Sequence, residues 1–289
     1  MKKGSISLRC ALLFISRDTY YQFPKRKAAR VRRDTPFVDE LRDLAERKKF
    51  KLGIRTLTMA YNRKYRTERK VTNHKKVERL KREYRIPTKI RIKRRIKPEQ
   101  PKRMDVAQIP DNIVNRRFAQ LTPFQFVGTD VTYLWCPKLG RYVYASVARD
   151  FATGEYLGWS LALRNDQALV DETITDIERR HGRGIWKELI YHMDRGGTYT
   201  PPHFLIGMLG SRGVTPSMSR KGNCIDNAPT ESGHGHLKDW IDLSQCASLE
   251  EARAALDSVI HYFNEERPQW QRKKMTPVEY RNHLFATAA

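Results

Sequence analysis

The chain reads as an α/β layered core preceded by a basic, all-helical module. Three observations predict this. Residues 1–103 carry 35 Lys and Arg against 10 Asp and Glu, whereas residues 104–289 carry 21 against 22, so nearly all of the formal net charge of +24 lies in the first third. Apolar residues in that third recur at helical spacing, with Phe37, Leu41 and Leu44 on one face. From Phe124 the pattern changes to three alternating apolar runs and then to alternating helical and extended segments, the signature of a sheet with helices packed on it.

Taken in order, residues 1–35 form a basic arm, with a short helix near Ser16–Gln22 and a solvated stretch from Lys25 to Arg33. Residues 36–86 form three helices. Gly53 ends the first, and Thr56 opens a second with Leu57 and Tyr61 inward. Thr72 or Asn73 caps a third, with Val77, Leu80 and Tyr84 on its apolar side and Lys75, Lys76, Arg79 and Arg82 opposite. An apolar stripe opposite a basic stripe suits a helix-turn-helix reader of duplex DNA, to which Arg55, just before the second helix, also contributes. Residues 87–122 are a cationic, proline-containing linker in which Arg91, Arg94 and Arg95 are placed to follow a phosphate backbone; its second half, 104–122, is expected to have little structure of its own.

In the core, 123–246, strands are expected at Gln125–Trp135, Tyr142–Arg149, Tyr156–Leu163, Glu188–His192 and Gly213–Met218. Helices are expected at Ala168–Arg180 and Pro202–Leu209, and after an Asp226 or Asn227 cap with Pro229 in the first turn, where its missing N–H is harmless. A helical extension, 247–289, closes the chain with a long helix from Ser248 to Glu266 and a last one from Thr276-Pro277. Four cysteines far apart with no C-x-x-C pair argue against structural zinc and suit a reducing cytoplasm. The apolar run Cys10–Ile15 is too short for a signal-peptide core or a membrane span, so a cytoplasmic, nucleoid-associated protein is expected.

Three carboxylates sit at expected element edges: Asp130 in an apolar strand, Asp194 at a Gly-rich turn after a strand, and Glu231 in the first turns of a helix. Each has an ordinary alternative: an ion pair, turn chemistry and helix-dipole compensation, respectively. Together, in a protein with a basic arm, they suit a site in which hard divalent cations are held by carboxylate oxygens against a nucleic-acid phosphate.

The words around those acids carry a resemblance. Thr129-Asp130-Val131-Thr132-Tyr133, His192-Met193-Asp194-Arg195-Gly196, Ser217-Met218-Ser219-Arg220-Lys221-Gly222-Asn223-Cys224, Asp226-Asn227-Ala228-Pro229-Thr230-Glu231-Ser232 and Tyr262-Phe263-Asn264 resemble the retroviral-integrase-like DDE transposases of bacterial insertion sequences, specifically the second-reading-frame subunit. The resemblance implies an RNase H-like core and Asp130, Asp194 and Glu231 as catalytic ligands of two Mg²⁺ ions, for which Mn²⁺ substitutes. It also implies cleavage of the element's ends, followed by strand transfer. Arg220 and Lys221 are then expected at phosphate, and Lys238, two turns after Glu231 on the same helix face, at DNA. Double-stranded terminal repeats and target DNA, self-association to at least a dimer, and a first-reading-frame partner are further implications; this chain has no sustained heptad to supply that partner's coiled coil.

There are two departures from the family pattern. The interval between Asp194 and Glu231 is one residue longer than usual, with the extra residue expected near Gly210–Gly213, and Gly233-His234-Gly235 stands where large aromatics are usual. The glycines leave a second reading open, a decayed or domesticated DNA-binding protein using only its basic third; a nuclease acting on RNA–DNA hybrids would leave that basic module unexplained.

Overall fold

The computed structural model describes residues 6–68, 71–89, 109–118, 122–220 and 224–288. They fall into two compact units that divide after Lys89.

The first unit holds α1 (Ile6–Leu12), α2 (Arg17–Arg47), α3 (Ile54–Lys64) and α4 (His74–Glu83). The expected short helix and solvated arm are instead one 31-residue helix, which runs through the boundary expected at residue 35. Ser16 caps it, its hydroxyl accepting from Thr19 N at 3.0 Å. Lys, Arg and Ala between residues 25 and 33 are good helix formers, and with no glycine among them nothing there stops propagation. Val38, Leu41 and Ala45 of α2 are buried, with Leu57 and Tyr61 of α3 and Val77 and Leu80 of α4. Asn73, not Thr72, caps α4 through a bond from Lys76 N at 2.9 Å. Asn62 closes the turn between α3 and α4 by pairing with both backbone groups of Thr72 at 2.8 Å.

The second unit is a five-stranded mixed sheet in the order β3-β2-β1-β4-β5. Its strands are β1 (Phe126–Cys136), β2 (Arg141–Asp150), β3 (Tyr156–Ala162), β4 (Ile190–Met193) and β5 (Thr215–Met218). The first three form an antiparallel meander, and β4 and β5 run parallel to β1. Because strand side chains alternate between faces, one set packs with α5 (Gln167–His181). That layer joins Val127, Leu157, Tyr191 and Met193 to Val170, Ile174 and Ile177. The other set, Leu134, Cys136, Val143, Ala145 and Val147, packs with Leu237 of α6 (Ala228–Trp240) and with Leu256 and Ile260 of α7 (Leu249–His261). Helices on both faces of this sheet order make an RNase H-like fold.

In the expected helical extension, 247–289, α7 completes the second helical layer, and α8 (Pro277–Ala288) is tied down by an ion pair between Arg281 and the buried Glu155. Residues 109–118 form no regular element yet are docked on the core, with Val114 fully buried and the N–H of Ile113 donating to Ser217 Oγ at 3.0 Å. The long C-terminal helix also widens into a π turn at Tyr262–Glu266, which delivers Asn264 to the edge of β3, where its amide pairs with both backbone groups of Tyr156. Among the described residues no helix is long and apolar enough to cross a membrane.

Candidate active site

Asp130 and Asp194 reach the same end of the sheet because β1 and β4 are parallel neighbours. The parallel pairing ends at Gly128 and His192, and Asp130 and Asp194 each follow two residues further along their chains. Asp130 is part-exposed, and its Oδ1 accepts from Val131 N at 2.8 Å. Asp194 lies just past β4, and its Oδ1 accepts from Gly196 N at 2.8 Å. Tyr199 is buried, and after burial itself the negative charges of Asp130 and Asp194 are among the causes that hold its phenol well above the usual range.

Glu231 is brought to that end by the seating of α6. The Asn227 side chain does not cap α6; its amide donates to Thr129 O at 3.0 Å, tying the helix start to the strand that carries Asp130. Gly128 makes the close approach possible: a β-carbon there would lie 2.3 Å from Thr230 Oγ1 and 2.3 Å from the Phe151 ring. Arg149 of β2 donates to Pro229 O at 2.6 Å, and the Tyr156 hydroxyl donates to Gly233 O at 3.0 Å. Gly233 therefore has a physical reason, since an added β-carbon would sit 3.0 Å from that hydroxyl and 3.2 Å from Arg149. The Glu231 carboxyl is exposed at the helix surface, and its pKa is pushed up by partial burial and by the charge of Asp130, against an opposing effect from His234.

The donor set is of the right kind for Mg²⁺: carboxylate oxygens at one sheet end, with Glu231 responding to the charge of Asp130. Among the described residues no three acidic, His or Cys side chains are drawn together closely enough to enclose an ion. The three acids thus form no closed cage.

Other expected residues are placed differently. Arg220, one of the residues expected at phosphate, donates to the fully buried Asp226 through Nε at 2.8 Å and Nη2 at 2.7 Å, with its side chain about half exposed. Asp226 also receives Arg116 and Asn112, each at 2.9 Å, and Arg220 above all holds its carboxyl well below the usual range. Lys221 lies outside the described residues, as do Arg91, Arg94 and Arg95. Lys238 stands over the Tyr133 ring at 4.2 Å, on the β1 side of α6. In the first unit Arg79, one of the residues expected at DNA, is paired with the buried Asp34 at 3.0 Å and with Glu83 at 2.8 Å. Lys76 covers the Phe37 ring at 4.2 Å, while Arg55, Lys75 and Arg82 are exposed.

His192, on the strand before Asp194, is buried between Ser217 Oγ at 3.0 Å and Ser219 Oγ at 3.1 Å, and bridges β4 to the segment after β5. Burial pushes its pKa down to about 4. Sequence reasoning missed Asp226 and Arg149 as anchors, because their partners are far away in the chain. It also missed His234, whose position three residues after Glu231 on a helix was a usable signal.

The sheet order and the two helical layers define an RNase H-like core, with one acid inside β1 and another just past the neighbouring β4. Two models described as Integrase core domain match residues 120–224 and 212–277. The chain is 30% identical over 192 residues to the transposase InsK of insertion element IS150 from Escherichia coli, which covers 66% of this chain and 66% of that protein. It is 31% identical over 182 residues to an uncharacterized transposase-like protein of Haemophilus influenzae, covering 61% of this chain and 80% of that one. A transposase of IS986/IS6110 from Mycobacterium tuberculosis is 28% identical over 61% of this chain and 64% of its own length. Among solved structures, the catalytic core of BIV integrase is similar at 20% identity and a TM-score of 0.44, over 57% of this chain and 97% of that one. The chain belongs to the bacterial insertion-sequence transposases of the integrase superfamily, and spans about two thirds of the length of InsK.

Proposed function

We propose that the chain is a DDE transposase that cleaves DNA at the ends of an insertion sequence and joins the freed 3′-hydroxyls to target DNA. The observation that carries this reading is the seating of α6: Asn227 on Thr129 O and Thr230 against Gly128 bring Glu231 to the sheet end that Asp130 and Asp194 share. Asp130, Asp194 and Glu231 would hold Mg²⁺, two ions per site with Mn²⁺ able to substitute. When bound, such ions polarise the phosphoryl oxygens and activate water or a 3′-hydroxyl for in-line attack. The protein's own part is to hold the carboxylates in place. Val131 N–H and Gly196 N–H orient two of them, and the Asp226 clamp fixes the loop that leads into α6. No protein nucleophile is required.

Duplex DNA, both element ends and target, is the partner. Arg55, Lys75, Lys76, Arg79 and Arg82 would be its contacts from the helical unit, Arg91, Arg94 and Arg95 from the linker, and Arg220, Lys221 and Lys238 from the core sequence. Paired ends require at least a dimer, and a first-reading-frame product is the expected companion. Supercoiled DNA carrying the element's ends tests the reading. Wild type should nick and join it with Mg²⁺, and Asp194→Asn should abolish both. Cleavage retained by Asp194→Asn would refute it, and tight DNA binding with no metal-dependent cutting would favour a decayed, DNA-binding role.

A further inference from the structure

His234 lies one turn beyond Glu231 on α6, and its side chain is only 9% exposed. Its Nδ1 is 3.4 Å from Asp130 Oδ2. Its Nε2 is buried with no hydrogen-bond partner among the described residues. Leaving a buried ring nitrogen unpaired is costly, and an aliphatic side chain would fill the same space without that cost. The polar character of this residue is therefore spent on Asp130. The other Asp130 oxygen accepts from Val131 N at 2.8 Å, so the carboxylate is approached from two sides, once by its own strand and once by α6. This contact joins the strand bearing one acid to the helix bearing another.

We propose that His234 is a positioning residue for Asp130, holding its carboxylate in the orientation that binds a divalent cation. The inference rests on the reading that Asp130 is a metal ligand. Groups that orient a metal-ligating carboxylate from behind change metal affinity by about 10–100-fold when removed.

The test uses the full chain and Mn²⁺ alone, with free Mn²⁺ followed by electron paramagnetic resonance and metal-free melting as the control for folding. Asparagine places an N–H near the position of Nδ1, and leucine places none. His234→Leu should weaken Mn²⁺ binding by about 10–100-fold, and His234→Asn should restore it to within about threefold of wild type. Wild-type affinity in His234→Leu, or equal weakening in both variants, would overturn the proposal. Asp130→Asn separates the two levels. If it weakens Mn²⁺ binding while His234→Leu does not, only the positioning role falls; if it has no effect, the metal reading falls and this inference with it.

Discussion

Gly128→Ala is the substitution that most directly perturbs the seating of α6. The new methyl would lie 2.3 Å from Thr230 Oγ1 and 2.3 and 2.6 Å from two atoms of the Phe151 ring. Phe151 has little room to yield: it is 4% exposed and stands edge-on to the rings of Phe118 and His192. Overpacking of this kind costs about 1–3 kcal/mol, and with two buried neighbours the upper end applies. For a unit of this size each kcal/mol lowers the melting temperature by about 2–4 °C, so a fall of about 6–12 °C is expected. Gly235→Ala, on the same helix, is the control. Its β-carbon would meet nothing within 4 Å, so relieving a helical glycine should stabilise by about 0.5–1 kcal/mol. Melting by circular dichroism, paired with Mn²⁺ binding, reads both effects. Thr230 directly precedes Glu231, so Gly128→Ala should also weaken Mn²⁺ binding. A Gly128→Ala protein that melts with wild type, or that binds Mn²⁺ equally well, would refute the idea that this contact sets the position of Glu231.

Three further outcomes follow from buried charges. Asp226→Ala should destabilise the core by about 2–3 kcal/mol, below the usual cost of breaking a buried pair because Arg116 and Arg220 are 44% and 49% exposed; a loss under 1 kcal/mol by urea titration would contradict the clamp. In the helical unit, Arg79→Ala should cost about 2 kcal/mol by stranding Asp34, and a further Asp34→Asn change should recover much of it. Lys75→Ala should instead leave melting unchanged and lower the salt slope of DNA binding by about one. Glu155 is pushed up to about 7, chiefly by burial and against the pull of Arg281. Between its ordinary pKa and 7 the unfolded chain binds fewer protons than the folded one, so stability should fall as pH rises through that window, by at most about 3 kcal/mol. Glu155→Gln should flatten that slope, and an unchanged pH profile would count against the assignment.

Much of the core was legible from periodicity. The alternating apolar runs after Phe124 located β1, β2 and β3, and the helix expected at Ala168–Arg180 is α5, because local periodicity reports the type of element. The three acids stood out as candidates through the words around them. Their mutual placement was not legible, since it depends on the β1–β4 register and on Asn227 reaching a carbonyl 98 residues away. The helix through the basic arm was not foreseen because a run of exposed cationic residues looks irregular in sequence, whereas Lys, Arg and Ala also propagate a helix once Ser16 caps it. The ion pairs of Arg79 and Arg220 were not foreseen either, as the sequence does not display Asp34 or Asp226 opposite them. Gly233 looked like a defect until its helix was seen against Tyr156 and Arg149.

A crystal structure of the full chain on an element-end duplex with Ca²⁺, which binds oxygen ligands without supporting turnover, tests the central claim most directly. Density is expected for an ion touching Asp130 and Asp194, with Glu231 turned inward to the same cluster and the ion against a DNA phosphate. An ion bound elsewhere, or Glu231 directed away from the two aspartates with DNA in place, would contradict it.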